Sequence, residues 1–202
     1  FEAKIRKLPP HLVTLLEYCA CMGNAFSPAE LAAIRRLTLR QTFEALTPAL
    51  EQGLLVEDRN QLRFIHDRVQ EAALAAIPPE RRRQIHWQVG THLLSEVTAG
   101  GDGDVETLEN LFTIASHLNL GRDDTLDAET AYLLSDINYH AGNRALNSLA
   151  TAAAREYFEL SRMLLPDGCW EGGRYERTFK IYQKAAKTEL MCGNHETSER
   201  LL

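Results

Sequence analysis

The chain has 202 residues, of which 45% are hydrophobic and 25% charged, a globular composition with room for one large or two small cores. Its formal charge of −6 lacks the basic surplus of a dedicated nucleic-acid binder. No run nears the roughly 18 apolar residues that span a bilayer, so no membrane contact is expected.

Cys19, Cys21, Cys169 and Cys192 lack metal-ligand spacing, and the Cys19-Ala20-Cys21 pair points to different sides of a helix. They read as small core or boundary residues of a reducing cytoplasm, so a cytoplasmic protein without a metal site is expected. The chain opens on Phe1 and closes inside a helical pattern, 196–202. It is therefore expected to be an excised piece of a longer protein, with any targeting signal elsewhere.

Pro9-Pro10 precedes LVTLLEYCACMG, where Leu12, Leu15, Leu16, Cys19 and Ala20 recur at helical spacing up to Gly23. Ser27-Pro28-Ala29-Glu30 is a capping box with proline at the first helical position, opening a helix over 28–35. Thr38-Leu39-Arg40-Gln41 repeats the pattern and opens a third helix to Glu51, which Pro48 should kink or shorten. After Gly53 the period becomes extended. Leu54-Leu55-Val56, a polar turn over 57–60 and Leu62 to Ile65 predict a hairpin. Three helices and a hairpin make the layout of a winged helix over 1–77.

From Asp67 onward the pattern is helical. A short helix over 69–77 stops at Pro78-Pro79, and a longer one covers 80–97. Gly100 to Gly103 is a linker-like run, and helices follow over 106–118, 127–145, 148–164, 175–192 and from about 196. Antiparallel helix pairs joined by short loops point to an α-solenoid over 78–202. Ala153-x-x-x-Tyr157 followed by Pro166 resembles the second half of a tetratricopeptide repeat, without its strict period. The fold expected is mainly α, a winged helix followed by a tetratricopeptide-like solenoid.

Catalytic signatures are absent. The sequence holds no G-x-x-x-x-G-K-[ST] loop, G-x-S-x-G elbow, H-E-x-x-H pair or kinase signature set. Asp123-Asp124 reads as a solvated, capping pair, and His86, His92, His117 and His140 fall at spacings that do not converge. Non-enzymatic function is the expectation. A winged helix can place its third helix in DNA, yet Arg40 against Glu44 and Glu51 gives that helix a charge of −1, where phosphate docking needs several cations. DNA-binding regulation stands as the alternative function, with Arg35, Arg36, Arg59 and Arg63 as its flanking cations. Arg81, Arg82 and Arg83, at a helix start where cations oppose the dipole, form either a solvated charge run or an anion or partner contact. Trp87, Phe112, Tyr132, Tyr157, Phe158, Trp170, Tyr175, Phe179 and Tyr182 are spaced as helix-packing residues.

RFIHDRVQEAAL, 63–74, marks the junction between hairpin and helix. The Asp67 carboxylate can cap the amides of Val69 or Gln70. A strand end has no general need of an imidazole, so His66 has either a packing role or the task of donating to an anion such as a nucleotide phosphate.

The ordered succession of Leu8-Pro9, LLEYCACMGNAFSPAELAAI, ALEQGLL, RFIHDRVQEAAL and IPPERRRQIHWQVGTHLL resembles the region after the ATPase domain in signal-transduction ATPases with numerous domains. In bacteria such ATPases are often fused to serine/threonine kinase, GAF and sensor histidine kinase modules. HLNLGRDD, AGNRALNSLATAAAREYF and YERTFKIYQKAAKTELMCGN continue the resemblance over nearly the whole chain. In the wider class a Met-His-Asp motif closes the winged helix, and its histidine contacts the phosphate of bound ADP. Ile65-His66-Asp67 is similar, with isoleucine in place of methionine. The resemblance implies His66 as nucleotide sensor and Asp67 as the helix cap that positions it. It also implies no cofactor in this fragment, ATP or ADP in an upstream ATPase domain of the same chain, and protein or output-domain partners on the helical repeats.

Overall fold

The computed structural model describes residues 8–99, 110–123 and 125–202. These form ten α-helices, one short 3₁₀ turn and a three-stranded antiparallel sheet. The chain divides into two compact units, Phe1–His92 and Leu93–Leu202. The linker-like run 100–103, the beginning of the helix expected over 106–118, and Asp124 lie outside the described residues.

In the first unit, α1 (Pro10–Met22) starts on a proline whose missing N–H costs nothing there and ends at Gly23, φ 127°. Its Leu12, Leu15, Leu16, Tyr18 and Cys19 are at most 5% exposed and form the floor of the core. β1 (Ala25–Phe26) follows, then α2 (Pro28–Arg35), where the Ser27 hydroxyl accepts the Glu30 N–H at 3.3 Å. Arg36 closes α2 in the left-handed region, φ 55°.

α3 (Leu39–Glu51) carries a complete capping box. Thr38 Oγ1 accepts the Gln41 N–H at 3.2 Å, and Gln41 Oε1 accepts the Thr38 N–H at 2.9 Å. Thr38→Ala frees the Gln41 N–H, while the backbone N–H of residue 38 keeps its bond to Gln41 Oε1, and is expected to cost about 1 kcal/mol, read as a lower urea midpoint at unchanged m-value. Pro48 does not end the helix, which runs on to Glu51.

β2 (Leu55–Asp58) and β3 (Gln61–Phe64) pair through a two-residue turn, with Leu55 opposite Phe64 and Asp58 opposite Gln61. β1 pairs on the other side of β3, giving the order β1-β3-β2. Phe26, Leu55, Leu62 and Phe64 lie on the inner face, at most 3% exposed. α4 (Asp67–Ala76) follows, and its Gln70 Nε2 donates to Ala20 O at 3.0 Å.

α5 (Pro79–Ala99) begins in the first unit. Arg81 pairs with Glu17 at 3.3 Å, Arg82 Nη2 donates to Leu74 O at 3.2 Å, and the Tyr18 hydroxyl bonds Gln88 Oε1. These ties hold the first half of α5 on α1 and α4, so the compact division falls beyond the boundary expected at 77.

The second unit contains α6 (Leu111–Gly121), α7 (Ala128–Asn147), α8 (Thr151–Met163), a 3₁₀ turn (Gly172–Arg174), α9 (Tyr175–Met191) and α10 (His195–Leu201). Asp127 caps α7, accepting the Thr130 N–H at 2.9 Å and its hydroxyl at 2.7 Å, and these bonds hold its carboxyl below the usual range. Small polar side chains join neighbouring helices. Asn119 and Asn138 exchange amide bonds at 2.8 and 2.9 Å between α6 and α7. Ser135 and Ser161 each donate to the other's carbonyl, at 2.7 and 2.8 Å, between α7 and α8. Ser198 donates to Ala186 O at 2.9 Å between α10 and α9. Each pair satisfies buried polar atoms only in one register. Gly142 of α7 lies against the Phe158 ring of α8, where a Cβ would fall 2.8 Å from a ring carbon.

Candidate functional site

The junction of β3 and α4 is built on a firmly held strand end. The Phe64 N–H donates to Asn24 O at 2.9 Å, and its buried ring lies 6.2 Å from that of Phe26. The Ile65 N–H donates to Leu54 O at 3.2 Å. Beyond it, His66 is exposed in extended conformation, φ −147° and ψ 146°, and its carbonyl accepts the Val69 N–H at 2.9 Å. Val69 and Ala73 anchor α4 in the core. The imidazole therefore stands in solvent on a backbone that is fixed on both sides.

Asp67 is not the helix cap. His66 occupies the N-cap position, Asp67 is the first helical residue, and no side chain accepts from the leading amides. Because the extended backbone belongs to His66, helical geometry begins one residue early for the expected cap. The exposed Asp67 carboxylate remains in the first turn, where it favours the positive helix end. The start of α4 is thus open to an outside acceptor, with exposed Arg68 next to Asp67 in sequence.

The arginine triplet is not an open anion site. Arg81 pairs with Glu17 and lies over the Tyr18 ring at 5.6 Å; Arg82 donates to a carbonyl; Arg83 pairs with Glu80 at 2.8 Å. On α3 the exposed Arg40 is held by Glu44 at 2.7 Å, which leaves that helix no uncompensated cation for phosphate.

Burial pushes the Cys19 thiol up, and pushes Cys21 up to about 11 despite the opposing charge of Arg82. Both stay protonated and inert. His86 is shifted down, first by burial and then by Arg82. No group of three His, Cys, Asp or Glu able to hold a metal occurs among the described residues.

One polar cluster is invisible to sequence spacing. Arg177 of α9 pairs with Asp136 Oδ1 at 2.8 Å, stands 3.1 Å from His140 Nε2 and lies over the Tyr139 ring at 4.5 Å. A guanidinium only donates, so Nε2 accepts and the ring proton sits on Nδ1, which is buried without a hydrogen-bond partner. The Asp136–His140 spacing on α7 is a readable signal, but Arg177 comes from a distant helix. With its lone pair occupied and no nucleophile beside it, His140 braces α9 on α7.

One relative gives these units a context. The chain is 23% identical over 255 residues to the hybrid signal transduction histidine kinase G of Dictyostelium discoideum. The match takes in 98% of this chain and 7% of that protein's length. No family model matches the chain, and no solved structure matches it. No helix among the described residues is long and apolar enough to cross a membrane.

Proposed function

We propose that this chain is a non-catalytic regulatory and protein-interaction region of a multidomain, cytoplasmic signal-transduction ATPase and sensor kinase. The observation that carries the reading is the alignment of almost the whole chain with a small part of a hybrid signalling histidine kinase. α1 to α3 with the β2–β3 hairpin act as a winged helix that docks on an upstream ATP- or ADP-binding domain. α6 to α10 act as tetratricopeptide-like helices that carry the nucleotide state to protein or output domains. Nucleic acid is not a partner, in keeping with the Arg40–Glu44 pair on α3.

His66 serves as the nucleotide sensor. The open start of α4 and the exposed imidazole beside it suit a phosphate oxygen supplied by another domain. The two nucleotide states then differ in contact energy at one junction, which is what a switch requires. In the intact protein, His66→Ala is expected to speed ADP loss about tenfold or more, from ~1.5–3 kcal/mol for a hydrogen bond to a charged group, and to raise basal output. ADP occupancy after desalting and output activity are the measurements. If both match the unsubstituted protein, His66 is not the sensor.

A further inference from the structure

Three exposed residues of the aromatic set lie close together in the sequence. Trp170, Tyr175 and Phe179 are 44%, 52% and 49% exposed. They form one continuous ladder. The Trp170 ring lies 5.8 Å from Tyr175 and 5.0 Å from Tyr182, and Tyr175 stacks on Phe179 at 6.4 Å with 7° between planes. Contiguous exposed aromatic surface of this kind marks a contact site rather than scattered apolar residues.

Tyr182 joins the ladder to a groove of about 690 Å³ between α8, α9 and α10. Its charges are unequally matched. Glu159 holds Arg162 by two bonds, at 2.6 and 3.2 Å, and Arg162 in turn lies over Tyr182. Glu189, 5% exposed, accepts from Asn194 at 2.6 Å and meets Arg155 only at 3.5 Å. Arg200 forms no ion pair with a described residue. Arg155 and Arg200 therefore face the same groove with donors to spare, since each guanidinium carries five N–H groups.

We propose that this surface binds an acidic segment of a partner protein, with carboxylates on Arg155 and Arg200 and apolar side chains on the Trp170–Tyr175–Phe179 ladder. Charge complementarity selects acidic over basic partners. This deepens the reading of the second unit as an interaction module and does not depend on nucleotide sensing at His66.

Fluorescence anisotropy with a labelled peptide, a glutamate block followed by a leucine block, tests it. Peptides with lysine in place of glutamate, or serine in place of leucine, serve as comparisons. The glutamate–leucine peptide is expected to bind best, and Arg155→Gln with Arg200→Gln should weaken it at least tenfold. Tyr175→Ser with Phe179→Ser, at exposed positions that leave the core intact, should do the same. No binding, a preference for the lysine peptide, or affinity unmoved by either double variant overturns the proposal. Such a failure would leave ADP retention in His66→Ala as a separate result, so the two readings fall independently.

Discussion

Phe158→Ala is expected to destabilise the second unit by about 3–5 kcal/mol, the usual cost of truncating a buried aromatic. Phe158 has no exposed surface and sits among Tyr139, Ala145, Ala154, Ile181 and Ala185, side chains of α7, α8 and α9. Its ring meets Tyr139 at 6.0 Å and 62° and covers Gly142 on the facing helix. The alanines and Gly142 around the ring cannot grow into the space it leaves, and the Ser135–Ser161 bonds resist a shift of α7 and α8 toward one another. The site therefore collapses poorly, which puts the cost toward the upper end of that range. Thermal unfolding by circular dichroism should show the second unit melting at least ten degrees lower, at about 4–8 °C per kcal/mol for a domain of this order. Leu149→Ala, at an 89% exposed position, should leave the melt unchanged. A loss below about 1 kcal/mol would mean that Phe158 is not the residue that unites α7, α8 and α9.

The features legible in the sequence are those decided within a few residues. The caps at Ser27 and Thr38 work because a hydroxyl three residues from an amide needs no tertiary partner. The hairpin declares itself by its period, although its strands are 55–58 and 61–64 rather than 54–56 and 62–65. β1 was beyond reach, because Ala25 and Phe26 are too few to show a period and become a strand only by pairing with β3. The Asp67 cap was misplaced by one residue, since Asp and His can both stand before a helix and only the backbone angles decide between them.

Longer-range facts could not be read at all. Arg81 to Arg83 look like a free cationic run until Glu17, Leu74 and Glu80 are brought beside them. Likewise, helical spacing put Tyr175 and Phe179 on one stripe, but spacing alone does not say whether a stripe is covered. The candidate site was legible as a position, His66, and illegible as a geometry. That an exposed imidazole stands at an uncapped helix depends on where α4 begins.

Tyr18→Phe should destabilise the first unit by about 1.5–3 kcal/mol, although it removes a single oxygen. Tyr18 is fully buried, with the guanidinium of Arg35 over its ring at 4.5 Å and that of Arg81 at 5.6 Å. Its oxygen accepts from Arg35 Nη1 at 3.0 Å and bonds Gln88. Gln88 is exposed and can turn to water, so little of the cost falls there. Arg35 has no carboxylate partner among the described residues, and its Nε is already buried without an acceptor. Losing the phenol oxygen leaves a half-buried cation with the ring face alone, and desolvation of that charge is the main loss. The ring itself stays, so no cavity opens and packing predicts no change. Urea unfolding separates the two accounts, and amide exchange over 79–92 locates the effect, because Gln88 is one of the ties that hold this half of α5 on α1. Unchanged stability together with unchanged exchange there would assign the extension of the first unit to the Arg81–Glu17 and Arg82–Leu74 contacts alone.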